Sequence, residues 1–272
     1  MRFVFGALVA GFVVLGCGKD GKSPAGPGDA GGGASSGGSS GSGGTDAGSG
    51  GSAATSGGDA APCVVDTSYN PTIDPTKFKT KVDNPLFPLV PGQKRVYRAG
   101  PTGTERVEIT VESTTKQILG ITTTVLHDVH TVAGEPIEDT IDWYAQDVDG
   151  NVWYMGENTK ELAGGKVTST HGTWTAGVDG AKPGIVVQAK PKVGQKYRQE
   201  YYACEAEDFG EVLALAESVT VPSGTYTGCL RTHDYTPLEP AINEEKYYCP
   251  GIGNVLSVDV ATNEREELLM EP

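Results

Sequence analysis

Residues 142–154, with the sequence DWYAQDVDGNVWY, decide the fold class of this chain. Aromatic and β-branched residues stand on both sides of a turn around Asp149-Gly150, a dipeptide that accepts the positive backbone angles of a tight hairpin. Through the rest of residues 63–272, short runs of Val, Ile, Thr, Tyr and Trp alternate with clusters of Gly, Pro, Asn and Asp. This pattern is typical of strands and turns, and no sustained helical periodicity accompanies it.

The same stretch recurs about 104 residues further along the chain. Trp143-Tyr144-Ala145 corresponds to Tyr247-Tyr248-Cys249, and Gly150-Asn151-Val152 corresponds to Gly253-Asn254-Val255. Other matches keep the same order: Gly92-Gln93-Lys94 with Gly194-Gln195-Lys196, Glu112-Ser113 with Glu217-Ser218, and Gly120 with Gly224. We interpret these matches as two copies of one β-meander, with repeat one at about 85–175 and repeat two at about 191–270.

Each repeat is predicted to begin with one strand (94–99 and 196–203). A long hairpin follows (105–113 with 121–131, and 212–221 with 225–234), and an aromatic hairpin closes the unit. Residues 166–174 are predicted to form a further strand between the repeats. Because neither meander can cover its own apolar face, we expect them to join in one all-β antiparallel sheet, curved into a half-barrel or closed barrel. The alternative is a two-sheet sandwich.

The N-terminus has the features of an export signal. Arg2 precedes the uncharged apolar run 3–16, which is too short for a membrane span of about 20 residues. The segment Val14-Leu15-Gly16-Cys17 resembles the lipobox of bacterial lipoproteins, and this resemblance implies a signal peptide at 1–16 and a diacylated Cys17. By the same resemblance, Gly18 after the cysteine favours the outer membrane where the host has one.

Residues 17–62 consist almost entirely of Gly, Ser, Ala, Asp and Thr and contain no aromatic residue. Such a segment cannot bury enough surface to offset its conformational entropy. We therefore expect a disordered linker after the lipidated cysteine, with an end-to-end distance of about 35 to 40 Å. The β body would occupy residues 63–272.

The charge of the chain restricts its partners. The formal net charge is −14 at pH 7, and most of the acidic residues lie in the body. An acidic surface repels nucleic acid and bare anionic lipid. The membrane would be contacted through the lipid anchor, and the predicted partner is a small ligand or a protein of the envelope.

Apart from Cys17, four cysteines are available to form disulfides in an oxidising compartment: Cys63, Cys204, Cys229 and Cys249. Three pairings are possible. In the repeat alignment Cys204 falls opposite Gly100 and Cys249 opposite Ala145, so both cysteines replace small residues that would be neighbours in the fold. We therefore predict Cys204 with Cys249, which leaves Cys63 with Cys229.

Several stretches of the body resemble a widespread set of bacterial secreted β-proteins. They are residues 83–92 (DNPLFPLVPG), residues 142–154, residues 197–201 (YRQEY) and residues 248–253 (YCPGIG). The resemblance implies an exported β fold but no activity. The hairpin-rich repeats are also similar to the curved sheets of periplasmic lipoprotein carriers, at the level of fold alone.

Two acidic segments are candidates for calcium. Glu205, Glu207 and Asp208 form the densest carboxylate cluster, and Glu205 and Glu207 would share one face of an extended segment. The alternative is a solvated acidic loop that protects a sheet edge. Residues 147–151 (DVDGN) begin like a calcium loop, but a hairpin turn explains them equally well. His127 and His130 point to opposite faces of a strand, so they cannot chelate one ion and are expected in solvent-facing or cross-strand roles.

The aromatic residues come in adjacent pairs, of which one member faces inward and the other outward on a strand. Trp143, Tyr144 and Trp153 are the candidate ligand-binding residues. Glu138, Asp139 and Asp142 lie beside the first aromatic pair and permit a carboxylate-dependent glycan hydrolase as an alternative. No catalytic motif accompanies them. We therefore expect a tethered, non-catalytic binding module without a cofactor, with calcium binding as a second alternative.

Overall fold

The computed structural model describes residues 65–270. The predicted signal peptide, Cys17, the linker and Cys63 lie outside the described residues. One short 3-10 helix, Pro75–Lys77, precedes the strands. The fifteen strands are β1 (Lys94–Ala99), β2 (Glu105–Ile118), β3 (Ile121–Val132), β4 (Glu135–Gln146), β5 (Val152–Ala163), β6 (Lys166–Ser169), β7 (Trp174–Thr175), β8 (Lys182–Val187), β9 (Lys196–Arg198), β10 (Glu200–Tyr201), β11 (Phe209–Val221), β12 (Gly224–Tyr235), β13 (Asn243–Cys249), β14 (Gly253–Asp259) and β15 (Arg265–Met270).

All fifteen strands belong to one curved antiparallel sheet, which confirms the predicted fold class and excludes the two-sheet sandwich. The strand order is β10-β8-β5-β4-β3-β2-β1-β15-β14-β13-β12-β11-β9, and β6 and β7 pair with β5. Strands β10 and β9 stand at the two ends of this order, so the pairing does not close into a barrel. The two ends are nevertheless consecutive in the chain, separated only by Gln199.

Two strands join the repeats edge to edge. Strand β15 pairs with β14 at the end of repeat two and with β1 at the start of repeat one. Strand β8 pairs in the same way with β5 at the end of repeat one and with β10 at the start of repeat two. Neither repeat therefore has its own complete sheet.

The core lies on the inner face of the curved sheet. Phe87, from the loop before β1, packs between equivalent tyrosines of the two repeats, with ring centroids 5.1 Å from Tyr144 and 6.2 Å from Tyr248. Tyr154 stacks on Tyr144 at 4.8 Å and meets Trp174 edge-on at 5.4 Å. This aromatic layer connects the loop before β1 to both repeats.

The described residues contain no helix that is long and apolar enough to cross a membrane.

The predicted disulfide pairing is wrong. Cys229 is bonded to Cys249, with the Cα atoms 4.2 Å apart. Strands β12 and β13 are paired neighbours with Leu230 opposite Tyr248, so the next residues outward on the two strands are these cysteines. The repeat alignment had placed Cys204 beside Cys249, but Cys204 lies in the turn after β10, away from this ladder. Cys204 is itself disulfide-bonded.

Candidate functional site

Strands β4 and β13 place acidic and basic side chains on the inner face of the sheet. Because side chains alternate between faces along a strand, Asp142 and Tyr144 share the inner face of β4. Lys246 and Tyr248 occupy the corresponding positions of β13, with Glu244 two residues earlier. Because side chains alternate in this way, charged residues lie on the same inner face of the sheet as the aromatic core.

Other strands add carboxylates to the same interior. Asp128 comes from β3, Asp234 from β12 and Glu200 from β10, and Asp208 immediately precedes β11. Asp128, Asp234 and Glu200 are each at least nine-tenths buried. Together with the residues of β4 and β13 they surround a cavity of about 60 Å³. The cavity is therefore large enough to hold water.

Some of these carboxylates have defined donors. Tyr154 donates its hydroxyl hydrogen to Asp142 Oδ1 at 2.5 Å, and Trp174 donates from Nε1 to Glu200 Oε2 at 2.8 Å. Gln199 Nε2 donates to Asp234 Oδ2 at 3.0 Å. The residue that joins the two ends of the sheet therefore also holds one of the interior carboxylates.

Lys246 supplies a buried ammonium group to the interior. Its Nζ lies 3.5 Å from Asp234 Oδ2 and 3.5 Å from Glu244 Oε2. Burial alone would lower the pKa of Lys246, but the nearby carboxylates of Asp234, Glu244 and Asp208 raise it on balance. The lysine is therefore charged and compensates part of the negative charge around it.

Four buried oxygen atoms of the cavity lining have no hydrogen-bond partner within the protein. They are Glu200 Oε1, Asp208 Oδ1, Asp234 Oδ1 and Asn254 Oδ1. Each is a carboxyl or amide oxygen that can accept a hydrogen bond. Arg95 Nε, a donor in the same lining, also lacks a partner. Unpartnered buried acceptors are costly, so their occurrence in the lining of one cavity indicates a site for a ligand that donates hydrogen bonds.

Burial raises the pKa of several interior carboxyl groups. It raises the pKa of Asp142 to about 7, with a further contribution from the charge of Glu138, although the hydrogen bond from Tyr154 opposes the shift. Burial likewise raises the pKa of Asp208 to about 7, against the favourable charge of Lys246. The pKa values of Asp128 and Glu200 rise well above their ordinary range, first through burial and then through neighbouring carboxylates. These groups hold protons near neutral pH unless a cation replaces them.

The three aromatic residues predicted to bind a ligand are not brought together. Tyr144 lines the cavity. Trp143, next to it on β4, faces the other side, where Lys116 Nζ lies 3.0 Å from its ring centroid. Trp153 packs edge-on against Phe78 and donates from Nε1 to Asp147 at 2.9 Å. Of these three predicted residues, Tyr144 alone lines the cavity.

The predicted calcium cluster also separates into different environments. Glu205 lies 3.1 Å from His171 Nε2, and Glu207 accepts from the backbone N–H of Cys204 at 2.9 Å. Asp208 turns into the cavity. Across residues 65–270, no group of three or more His, Cys, Asp or Glu side chains has an arrangement that would hold a metal ion.

The second calcium candidate, at residues 147–151, is a hairpin turn. The Asp147 carboxylate accepts hydrogen bonds from the backbone N–H groups of Gly150 and Asn151, from Asn151 Nδ2 and from Trp153 Nε1, all at 2.8 to 2.9 Å. Its oxygens are therefore directed at donors of the turn.

The histidines have the cross-strand roles expected from their spacing. His127 lies 3.3 Å from Asp139 on β4, and His130 lies 3.0 Å from Glu105 on β2. They face different sides of β3, as the spacing required.

The interior carboxylates were missed because charged residues on strands are ordinarily solvent-exposed. A usable signal was present: in both repeats an acidic or basic residue stands two positions before the inward-facing tyrosine, at Asp142 and Lys246. Alternation then requires these charged residues to face inward with Tyr144 and Tyr248.

Comparison with known proteins adds little to this geometry. No family model matches the chain, and no match is found among curated proteins. Among solved structures, a protein from Parabacteroides distasonis that is provisionally named a lipoprotein matches with a TM-score of 0.38 and 12% identity. The match covers 69% of this chain and 98% of the other. A likeness of this size carries no argument about fold or function.

Proposed function

We propose that this chain is a lipid-anchored protein of the bacterial cell envelope whose β body binds a small ligand inside its curved sheet, without catalysis. The observation that carries the binding role is the cavity whose lining residues include the unpartnered oxygens Glu200 Oε1, Asp208 Oδ1, Asp234 Oδ1 and Asn254 Oδ1. The lipobox-like segment ending at Cys17 supports the anchor, and its resemblance favours the outer membrane where one exists.

The size of the cavity supports the absence of catalysis on glycans. Glu138 and Asp142 share the inner face of β4, as a carboxylate-dependent hydrolase would require. The space beside Asp142 measures about 60 Å³. A cavity that admits benzene measures about 150 Å³, so a sugar ring does not fit in the space beside Asp142, and Glu138 does not line this cavity. The volume suits a ligand, or a ligand head group, of a few heavy atoms.

Native mass spectrometry of the full-length protein, extracted from its own host in mild detergent, tests the binding role. We expect a non-covalent mass of a small molecule that survives a chelator. Ile242→Trp, which places a large side chain at the cavity wall, should remove that mass. Val260→Trp, at an exposed position, should leave it. A protein that carries no ligand, or a ligand retained equally in both variants, would contradict a binding site in the interior.

The anchor is tested separately. Mass spectrometry of the N-terminal peptide should find an acylated Cys17, and Cys17→Ser should move the protein from the membrane fraction to the soluble extracytoplasmic fraction. Gly18→Ala should remain in the membrane fraction. An unmodified cysteine in the mature protein would refute lipidation.

A further inference from the structure

We infer that the ligand of the interior cavity is a primary amine, bound through its ammonium group by Glu200, Asp234 and Asn254. This inference rests on the proposed function and names the chemical class that the site takes. It follows from the kind of atom left unpartnered, from the carboxyl groups of the lining and from the size of the space.

The unpartnered atoms specify the donors. Of the four unpartnered oxygens of the lining, Glu200 Oε1, Asp234 Oδ1 and Asn254 Oδ1 belong to residues that are 1%, 6% and 2% exposed. These three residues come from β10, β12 and β14, which are separate strands. An ammonium group has three N–H donors and no acceptor, so it can donate to several such oxygens at once. An ionised carboxylate or phosphate ligand has acceptors but no donors, so it could not donate hydrogen bonds to these oxygens.

The carboxyl groups of the lining favour a cation, because a bound cation can replace the protons that they hold near neutral pH. Asp128, Asp142, Asp208 and Glu244 surround the same space, and the lining holds only Lys246 and Arg95 as basic residues. Lys246 shows that an ammonium group is stable here, because its Nζ lies 3.5 Å from both Asp234 and Glu244. The protein thus places one ammonium group of its own among these carboxylates and leaves acceptors for a second.

The aromatic walls and the volume limit the ligand further. Phe87, Tyr144, Tyr154 and Tyr248 line the cavity, and aromatic faces attract cations. At about 60 Å³ the space admits an ammonium group with a short alkyl stem. A metal ion is disfavoured because the described residues offer no group of three ligands with a suitable arrangement.

Binding of methylammonium chloride to the full-length protein in detergent, measured by calorimetry at pH 8, tests this inference. Tetramethylammonium is the matched probe, because it carries the same charge but has no N–H donor. We expect methylammonium to bind at least ten-fold more tightly than tetramethylammonium, potassium or methanol. We also expect binding to release protons, so that the observed heat depends on the ionisation enthalpy of the buffer.

Variants locate the site. Glu200→Gln and Asp234→Asn should each weaken methylammonium binding at least ten-fold, and Glu135→Gln, at an exposed position, should not change it. If a variant fails to fold, the inference is still tested by comparing methylammonium with tetramethylammonium on the unaltered protein. Equal binding of the two probes, or no binding of methylammonium, would overturn the inference.

Analysis of the small molecule released from the protein purified from its host tests the amine inference and the interior binding role separately. An amine would support both. A neutral or anionic compound displaced by Ile242→Trp would leave the interior binding role standing and overturn the amine. A protein that releases nothing and binds no methylammonium would overturn both.

Discussion

Asp142 and Lys246 occupy equivalent positions in the two repeats and face the same cavity. Each stands two residues before an inward-facing tyrosine, Tyr144 or Tyr248, on strands that pair with β3 and β12 respectively. One position thus carries a carboxyl group in repeat one and an ammonium group in repeat two. The pseudo-symmetric scaffold is therefore asymmetric in charge at its centre, which gives the interior two chemically different sides.

The stability of the ligand-free protein should fall as the pH rises from 5 to 8. The pKa of Asp142 and that of Asp208 are raised from 3.8 to about 7 in the folded state. Between these values the folded protein holds protons that the unfolded chain has released, so unfolding releases protons and becomes easier as the pH rises. Each such carboxyl contributes about 1.4 kcal/mol per pH unit.

Thermal unfolding at pH 5, 6, 7 and 8 measures this dependence. Asp142→Asn removes one of the titrating groups but keeps an acceptor for the Tyr154 hydroxyl, so its melting temperature should depend less on pH. Asp149→Asn, in an exposed turn, should follow the unaltered protein. A melting temperature that stays constant or rises from pH 5 to 7 would show that these carboxyl groups are ionised in the folded state.

Lys246→Met should destabilise the body by about 3 kcal/mol, because it leaves the buried carboxylates of Asp234 and Glu244 without their cation. Denaturant unfolding at pH 8 measures the loss. Lys160→Met is the control, since Lys160 makes only a half-exposed contact of 3.9 Å with Asp139 and should cost less than about 1 kcal/mol. Adding Asp234→Asn to Lys246→Met should restore part of the stability. If the losses of unfolding free energy of the two single variants simply add in the double variant, the coupling between Lys246 and Asp234 is refuted.

Peptide mapping without reduction should find Cys229 joined to Cys249. The bridge spans 20 residues, and on the chain-entropy account a loop of this size contributes about 3 kcal/mol. The double variant Cys229→Ala with Cys249→Ala should therefore lose about that amount of unfolding free energy. Peptides that joined Cys229 to any other cysteine would contradict the ladder between β12 and β13.

Calcium should not change the melting temperature of the protein at millimolar concentration. The Asp147 oxygens accept hydrogen bonds from Gly150, Asn151 and Trp153, and Glu205 and Glu207 face different partners. Scanning calorimetry with calcium and with a chelator should give the same transition. As a contrast, Asp147→Ala should lower stability by about 2 kcal/mol through loss of the turn's acceptors, independently of calcium. A rise in melting temperature on adding calcium would reverse this conclusion.

Much of the fold could be predicted from sequence because the long hairpins have clear alternation and turn residues. The predicted strand 94–99 coincides with β1, and the predicted hairpins lie within β2 and β3 and within β11 and β12. Strands β8 and β15 escaped prediction. Strand β8 contains Pro183-Gly184, which reads as a turn, and β15 begins with Arg265-Glu266-Glu267, which reads as a solvated segment. Both become strands because neighbouring strands offer them edges to pair with.

The candidate site could be predicted less well, for a physical reason. Local sequence indicates which residues share a face of a strand, but which of the two faces points to the interior depends on how the whole sheet is assembled. Asp128 and Asp234 are buried on that inner face. The aromatic pairs were correctly expected to divide between two faces, yet nothing local distinguished Tyr144 as the cavity residue from Trp143.

The reciprocal pairing of β8 and β15 has a consequence for a split form of the protein. A cut in the segment 188–195 would yield two polypeptides, each lending one strand to the other: β8 to the edge at β10, and β15 to the edge at β1. When the fragments associate, each fragment would supply an edge strand that pairs with the sheet of the other fragment. A fragment left alone would expose two unsatisfied backbone edges and would tend to assemble with further copies of itself.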